Sequence, residues 1–419
     1  MKKRLALLLA VVMTMSLLSA CDSKPAETTK APETQAAPTQ GGETKAPETQ
    51  APEGKTLKVG LICIGDENDQ GYTYNFIRGK EAVTEKMAAK GVTIDWKIIT
   101  NIGEDSRCAD SCMELADDEC EIVICNSYGH EPFMLQVAAD YPEVQFIGCT
   151  NLNSVFDNLD NTHNGFANIY EGRYVAGVVA GMKIKELIDN GTIQPSEAKI
   201  GYVGAFPFAE VISGFTAFYL GAKSIVPEVT MNVKYVSSWS DATAEGNAAQ
   251  ALCDEGCILI SQHSDNTTPA TTAQQNGKFH VGYNNDMSGI APEASLISSR
   301  IDWSVYFEYV FDAVIAGESF AQDWTAGMAE GAVVLTELNE KIAAPGTKEK
   351  MQEVIAGLAD GSIEVFAGPW TGTGTAYGAP GPDTKTVAEG EFFKESDVEG
   401  GQTSAPYFYW ILEGITSEQ

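Results

Sequence analysis

Positively charged side chains are scarce in this sequence. Its 419 residues include 27 lysines and arginines against 58 aspartates and glutamates, which gives a formal net charge of −31 at pH 7. A surface this acidic repels the phosphate backbone of DNA and RNA. The composition therefore excludes nucleic acid as a partner, although it says little about a small ligand.

The common sequence signatures of metal and catalytic sites are also missing. The nine cysteines include no C-x2-C pair, the four histidines include no H-x3-H pair, and no G-x-S-x-G elbow is present. Zinc sites and serine nucleophiles are usually recognised by such spacings. The sequence accordingly predicts no metal site, no cofactor and no enzyme activity.

Cysteine pairing is left open by the spacing. Two pairs stand four residues apart, Cys108 with Cys112 and Cys253 with Cys257, so that a disulfide is conceivable in an exported protein. Three other cysteines fall in or at the end of strand-like runs, where cysteine acts as a small buried hydrophobic residue. These three are Cys63, Cys125 and Cys149.

Long apolar runs are absent except at the N-terminus. Three basic residues at positions 2–4 precede an apolar run over residues 5–18, and Leu-Ser-Ala stands directly before Cys21. A run this short and early is typical of a secretory signal. Its end resembles the lipobox of bacterial lipoproteins, which implies cleavage after residue 20 and a lipid on Cys21 at the extracytoplasmic face of the cell membrane. A plain cleaved signal with an incidental cysteine is the alternative.

The next segment, residues 21–55, is rich in Pro, Ala, Glu, Thr and Gln. The string Lys-Ala-Pro-Glu-Thr-Gln occurs twice in it, starting at Lys30 and at Lys45. Such a composition cannot bury a core, and its prolines favour extended backbone. We predict a disordered tether that holds a folded body away from the membrane.

From Thr56 onward about 360 residues remain, which is more than a single core usually serves. Strand-like runs alternate with helix-like stretches, and this alternation restarts after a small-residue helix over residues 170–187. The pattern predicts two parallel α/β sheets, each with its ligand-binding loops at the carboxyl ends of the strands. The predicted strands are 57–64, 92–99, 121–125 and 144–148, then 199–203, 231–236, 257–261 and 280–283.

The segment from Tyr170 to Gly181, YEGRYVAGVVAG, resembles the signature helix of the basic-membrane-protein family of ABC-transporter substrate-binding lipoproteins. Its glycines and alanines suit close helix packing, so we expect a structural role for it. The resemblance implies the type I periplasmic-binding fold, in which two doubly wound lobes joined by several chain crossings close on a ligand. The implied boundaries are 56–165 with about 287–320 for lobe 1, and 166–286 with about 321–419 for lobe 2.

Several further segments resemble a branch of this family implicated in purine uptake. The resemblance implies capture of a purine base or nucleoside-like solute and its delivery to an ABC permease in the cell membrane. Tyr72 stands where this branch often has tryptophan, which weakens the assignment of the ligand. The segments are 69–74 (DQGYTY), 205–210 (AFPFAE), 238–240 (SWS), 262–265 (QHSD) and 282–287 (GYNNDM).

Three residues suit a flat heteroaromatic ligand most directly. Tyr72 and Trp239 are predicted to stack on its faces, and Asp265 is predicted to accept its N–H groups. Two of them have an alternative role: Tyr72 as an ordinary half-exposed aromatic, and Asp265 as the cap of the helix that begins near Asn266.

Five other residues that follow predicted strands are candidates for ligand contact. Asparagine amides both donate and accept hydrogen bonds at a purine edge, and a phenylalanine ring can form a cleft wall. Turn formation and core packing are the alternatives. The candidates are Asn126, Phe206, Asn284, Asn285 and Asp286.

Two other functions remain open. The same fold serves as a sensor domain that signals to a membrane partner, because fold does not determine function. An enzyme of the nucleoside hydrolase type would require Asp69, Asp110 and Asp265 to converge on a metal ion.

Overall fold

The computed structural model describes residues 54–150, 159–375, 384–394 and 404–418. All of them belong to one compact unit of the chain, residues 50–419. The expected signal, Cys21 and nearly all of the expected tether lie outside the described residues. Within the described ranges, no helix has both the length and the apolar character needed to cross a membrane.

The first part of the chain alternates strands with helices. The four strands predicted here are confirmed, each end lying within two residues of its expected position. A further strand with the sequence Thr-His-Asn-Gly has no apolar alternation that would have predicted it. The elements are β1 (Lys55–Ile62), α1 (Tyr72–Ala89), β2 (Val92–Ile99), α2 (Ser106–Asp117), β3 (Ile122–Cys125), α3 (Glu131–Ala138), β4 (Gln145–Gly148) and β5 (Thr162–Gly165).

The alternation then restarts, as predicted. The elements are α4 (Ile169–Asp189), β6 (Lys199–Gly204), α5 (Ala209–Lys223), β7 (Thr230–Tyr235), α6 (Ala242–Asp254), β8 (Leu259–His263), α7 (Thr268–Gln275), β9 (Phe279–Tyr283) and β10 (Ser295–Ile301). Helix α4 is the signature helix, and it packs closely on α5. A Cβ atom on Gly177 would lie 2.0 Å from the carbonyl oxygen of Phe218. The structural role expected for this helix is confirmed.

The remaining elements are shorter. They are α8 (Trp303–Ala316), β11 (Asp323–Trp324), β12 (Val333–Leu335), α9 (Thr347–Ala359), β13 (Phe366–Ala367), β14 (Trp370–Gly374), β15 (Thr384–Val387), β16 (Phe392–Phe393), β17 (Trp410–Leu412) and β18 (Ile415–Ser417). Strands β13 to β17 form two small antiparallel sheets.

Two large sheets carry the fold. The first has the order β11-β5-β4-β3-β1-β2, and the second has the order β12-β10-β9-β8-β6-β7-β18. All neighbours in both sheets are parallel except β10 and β12. In each sheet the strand order reverses around the first long strand, β1 or β6, which is the doubly wound arrangement. The predicted α/β class with two lobes is confirmed.

The chain crosses between the two sheets three times: after β5, after β10 and between β11 and β12. The second crossing lies later than we expected. We predicted that residues from about 287 to 320 belong to lobe 1. Strand β10 lies in the second sheet, where Leu296 and Ile297 join that lobe's core. Helix α8 returns to the first lobe, because Trp303 and Phe307 pack into the other core.

Candidate functional site

A cavity of about 380 Å³ lies at the carboxyl ends of both sheets, between the two lobes. The first lobe lines it with neutral side chains, namely Ile64, Tyr72, Ser127, Tyr128, Cys149 and Thr150. The second lobe lines it with Glu210, Trp239, His263, Asp265 and Tyr283. Three of our predicted site residues, Tyr72, Trp239 and Asp265, therefore meet in one cavity.

Two aromatic rings reach this cavity from opposite lobes. Tyr72 is the first residue of α1, and its hydroxyl donates to the carbonyl oxygen of Cys149 at 3.2 Å. Trp239 follows β7 and rests edge-on against Phe206, with the ring centroids 5.1 Å apart. The indole Nε1 of Trp239 is buried and has no hydrogen-bond partner among the described residues. A ligand between these rings would meet two aromatic surfaces.

Asp265 joins the two lobes. Its Oδ1 accepts from the backbone N–H of Tyr72 at 3.0 Å, so a residue of the second lobe binds the N-terminus of α1 in the first. Asp69 accepts from three neighbouring N–H groups, those of Gly71, Thr73 and Tyr74. The first amides of a helix are a favourable site for carboxylates. The capping role considered for Asp265 therefore exists, but it serves a helix of the other lobe.

Burial makes the charged form of Asp265 costly. Desolvation, followed by the nearby charges of Asp69, Glu245 and Glu210, raises the pKa of this carboxyl well above its ordinary value. A ligand that offers N–H groups would stabilise the ionised form. The site is thus suited to a hydrogen-bond donor at this position.

A buried chain of hydrogen bonds supports Glu210. The Arg173 guanidinium donates to the hydroxyl of Tyr202 at 2.5 Å, and this hydroxyl lies 3.5 Å from Nδ1 of His263. The other ring nitrogen of His263 lies 3.0 Å from Oε1 of Glu210, which also accepts from Tyr283 at 3.4 Å. If His263 carries its proton on Nε2, each group in this series donates to the next, from Arg173 through Tyr202 and His263 to Glu210. It presents an oriented carboxylate to the cavity.

A second buried carboxylate holds the loop that carries Asp265. Glu245 on α6 accepts from Ser264 at 2.6 Å, from the amide of Asn266 and from the backbone N–H of Asp241. Burial raises its pKa to about 7. Glu245 is a positioning residue that our sequence analysis did not identify.

The cleft is closed in this structure. A Cβ atom on Gly71 would lie 2.5 Å from the Cα atom of Asp265 across the cleft. Asn285 donates to Gln70 at 2.8 Å and accepts from Arg78 at 3.4 Å, which adds a second polar contact between the lobes. Asn285 therefore lies at the edge of the cleft rather than in the cavity lining.

The other predicted residues lie near the cavity without lining it. Asn126 is buried, and its amide bonds to the backbone N–H of Ile64 and to the hydroxyl of Thr73. Phe206 supports Trp239 from behind, and Asp286 accepts from the N–H of Ser288 in a turn. Asn284 is fully buried, and its side-chain amide atoms have no partner among the described residues.

Several lining residues were not among our candidates. Glu210, His263 and Tyr283 belong to segments that resemble the purine-uptake branch, in which the predicted contacts are their neighbours Phe206, Asp265 and Asn284. Ser127 and Tyr128 lie in the loop after β3, where Glu104 accepts from the Ser127 hydroxyl at 2.8 Å. The position after a predicted strand directed attention to Asn126 at the start of this loop, but not to Ser127 or Tyr128.

The three aspartates that an enzyme of the nucleoside hydrolase type would need do not gather. Asp110 is exposed on α2, whereas Asp265 is buried in the cleft. Asp69 is occupied by the N-terminus of α1. In the described part of the chain, these residues form no group with the spacing of metal ligands.

A larger space adjoins the cavity. It measures about 640 Å³ and shares Tyr128, Thr150, Glu210 and Trp239 with the cavity. Its outer wall is formed by Phe208 and by the C-terminal segment, through Ala405, Pro406 and Tyr409. A ligand larger than a single heterocycle could therefore extend from the cavity into this space.

Comparison with known proteins identifies the family. The family model of the PnrA-like ABC transporter substrate-binding proteins (Bmp) matches residues 56–361. A purine-binding protein from Brucella abortus is 30% identical over 313 residues, which cover 75% of this chain and 84% of that protein. A putative ABC transporter glucose-binding protein from Haloferax volcanii is 29% identical over 318 residues, or 75% of each chain.

Solved structures agree on the fold. A solute-binding protein of an ABC transporter from Aeropyrum pernix superimposes with a TM-score of 0.60 at 15% identity, over 75% of this chain and 94% of that chain. The expected periplasmic-binding fold is thereby confirmed. The chain belongs to the PnrA-like family of ABC transporter substrate-binding proteins, as its signature helix indicates.

Proposed function

We propose that this protein captures a purine base or a nucleoside-like heteroaromatic solute for an ABC importer. One observation carries the proposal: Tyr72 and Trp239, from opposite lobes, line a single cavity together with the carboxylates of Glu210 and Asp265. This combination offers aromatic surfaces for the faces of a flat ligand and hydrogen-bond acceptors for its edge.

The energetics of such a site are favourable for a purine. Stacking of a base on an aromatic side chain contributes roughly 1 to 3 kcal/mol. Hydrogen bonds from ligand N–H groups to carboxylates contribute roughly 1.5 to 3 kcal/mol each. A ligand that offers only acceptors at this edge would place them against the acceptor oxygens of Asp265 and Glu210 and would bind much more weakly.

The adjoining space supports the nucleoside alternative. A base held between Tyr72 and Trp239 would leave its ribose room beside Phe208 and Tyr409. A free base would fill only the inner cavity. The two ligand types therefore differ in whether they contact the outer wall.

Ligand binding and closure are coupled in this proposal. The ligand touches both lobes only in the closed state, so it favours that state by the free energy of the additional contacts. The three crossings between the sheets would act as the hinge. A permease would then recognise the closed lobes.

The names of the relatives support two ligand classes, a purine and a sugar. Sugars also bind on aromatic faces, so glucose is the matched competitor. The decisive measurement is calorimetric titration of the purified protein, freed of bound ligand by unfolding and refolding. The panel is adenine, guanine, hypoxanthine, adenosine, guanosine, riboflavin and glucose.

Micromolar or tighter binding of a purine or its nucleoside, without turnover, would support the proposal. Binding of glucose alone would overturn the purine assignment and keep the transport function. Product formation from a nucleoside would indicate an enzyme instead.

The membrane attachment is a separate proposal, which rests on the sequence before the folded unit. We propose that Cys21 carries a lipid that anchors the protein at the outer face of the cell membrane. Mass spectrometry of the protein extracted from membranes would detect the lipid on an N-terminal Cys21. Release of a Cys21→Ser variant from the membrane would support the anchor, and unchanged membrane retention would contradict it.

A further inference from the structure

Three cysteines and one histidine converge in the first lobe, away from the carboxylates of the cleft. Cys108 and Cys112 lie one turn apart on α2, Cys125 ends β3, and His130 lies in the short turn before α3. All four side chains are buried. We call them the cysteine cluster.

Distances within the cysteine cluster suit a metal site. Ligand atoms of Cys108, Cys125 and His130 all lie within 4.8 Å of one another. Cys112 lies outside that group, but its Sγ atom is 3.8 Å from the Sγ atom of Cys125. Two thiolates on a tetrahedral zinc ion, each at about 2.3 Å, are separated by about 3.8 Å.

One ring nitrogen of His130 is available to bind a metal ion. Its Nε2 lies 2.9 Å from the carbonyl oxygen of Ile102, so this nitrogen must carry the proton. The other nitrogen, Nδ1, then has a free lone pair, and it is buried without a partner among the described residues. Histidine ligands of metals are usually held in this way, with one nitrogen bonded to a carbonyl and the other on the metal.

We propose that Cys108, Cys125 and His130 bind one soft divalent cation, zinc, and that Cys112 shifts toward them as the fourth ligand of a closed structural site. Four protein ligands of the Cys3His type complete a tetrahedral shell and leave no open position for catalysis. On binding, the three thiols release their protons to solvent, and the S–H···O contact from Cys108 to the carbonyl of His130, now 3.7 Å long, is replaced by the bond to the metal.

The position of the cysteine cluster connects it to the ligand cavity. Ser127 and Tyr128, which line the cavity, lie between two of the proposed metal ligands, Cys125 and His130. Glu104 already accepts from Ser127 and from the N–H of Gly129 on this loop. A metal ion would fix the same loop at both ends.

Sequence motifs did not reveal this site because its ligands come from three elements. The pair Cys108 and Cys112 has a C-x3-C spacing, and Cys125 and His130 follow only after β3 has crossed the lobe. The expectation of no metal site rested on local spacing alone. The fold brings together residues that have no recognisable motif.

The test begins with the unmodified full chain, purified under reducing conditions. We expect about one zinc per chain by elemental analysis, in line with a structural site. Replacement by cobalt should give the visible d–d bands and the thiolate charge-transfer band of a tetrahedral site rich in sulfur. X-ray absorption should report a shell of three sulfurs and one nitrogen.

Variants then locate the site. Cys112→Ser and Cys125→Ser should each lower the zinc content at least about tenfold, because a three-ligand shell binds structural zinc much less tightly. Cys120→Ser is the matched control, since Cys120 is buried in the same core but, unlike Cys112, has no recorded thiol contact with Cys125 among the described residues. It should retain the metal.

Three results would overturn the proposal. One is the absence of metal from protein refolded with zinc in excess, together with no cobalt spectrum. Another is a disulfide between Cys112 and Cys125 in peptides mapped without reduction, which would assign the cysteine cluster to redox chemistry. The third is an equal loss of zinc in the Cys120→Ser control. The cobalt spectrum of the unmodified chain keeps the test valid even if a serine variant fails to fold.

Discussion

The two sides of the cleft differ in charge and in how they are held. The first lobe presents only neutral groups to the cavity, and its aromatic residues there are Tyr72 and Tyr128. The second lobe presents both carboxylates, Glu210 and Asp265, and supports them with buried networks that reach Arg173 and Glu245. The second lobe is therefore built to orient hydrogen bonds, whereas the first is built to cover the ligand.

This asymmetry suggests an order of events. A ligand that first docks on the second lobe meets a preorganised set of acceptors, which determines its orientation. The first lobe then closes over its exposed face, and the N-terminus of α1 reaches Asp265. If this view is correct, changes on the second lobe should alter which ligand binds, and changes on the first should alter closure.

The largest effect is expected from Gly71→Ala, which tests closure. In this structure Gly71 has a φ of −128° and a ψ of −131°, a combination outside the regions that residues with a Cβ atom favour, so the change opposes this backbone conformation as well as the close approach of the lobes. In the closed state the new Cβ would lie 2.5 Å from the Cα of Asp265. We expect affinity to fall at least about 100-fold. Calorimetry measures the affinity, and small-angle scattering measures the compaction on binding.

Gly289→Ala is the control for this change, because no heavy atom lies within 4 Å of the position its Cβ would take. It should bind normally. Normal ligand binding and normal compaction in Gly71→Ala would show that the functional closed state differs from the arrangement described above.

Trp239→Ala is expected to have the next largest effect. It removes the stacking surface on the second lobe, and a loss of about 3 kcal/mol, or roughly 100-fold in affinity, is the upper range for one base stack. Trp239→Phe should recover part of this loss because it keeps a ring over Phe206. Undiminished binding by the alanine variant would remove the centre of the proposed site.

The asymmetry also explains how much could be predicted from the sequence. The eight strands that were predicted carry apolar runs, and their carboxyl ends directed attention to Tyr72, Trp239 and Asp265. The side chains that complete the second lobe's surface, such as His263 and Glu210, are 53 positions apart in sequence and are joined by only one hydrogen bond. The local pattern of either segment does not show that these two side chains meet.

Strands without apolar alternation were missed for a related reason. Strand β5 reads Thr-His-Asn-Gly and β10 contains three serines, so neither shows the pattern that predicts a buried strand. Several of their polar side chains bond to partners distant in the chain, as Asn164 does to Asp323 and Ser404. Contacts with residues distant in sequence, rather than the local apolar pattern, make these two segments strands.

A smaller effect concerns the pH dependence of the second lobe. Burial raises the pKa of Glu245 to about 7, above its unfolded value near 4.5, so the folded state binds its proton more tightly. Its contribution to stability is present below about pH 4.5 and is lost as pH rises through 7. We expect the free energy of unfolding to lose about 2 kcal/mol from this group between pH 5 and pH 8.

Glu245→Gln should remove this part of the pH dependence, since a neutral amide replaces the protonated acid. Urea unfolding at several pH values measures it. Asp254→Asn, an exposed change on the same helix, is the control and should leave the profile unchanged. A Glu245→Gln profile that still parallels the unmodified protein would mean that Glu245 is not the group that titrates.

The smallest effect is expected from Tyr72→Phe on the first lobe. The change keeps the ring and removes only the hydroxyl, which donates to the backbone of Cys149 at 3.2 Å. A single neutral hydrogen bond contributes about 1 kcal/mol, so affinity should change less than about tenfold and the preference among purines should not change. A changed preference would mean that this hydroxyl leaves Cys149 and binds the ligand. The first lobe would then select the ligand as well as cover it, and the division of roles between the lobes would be wrong.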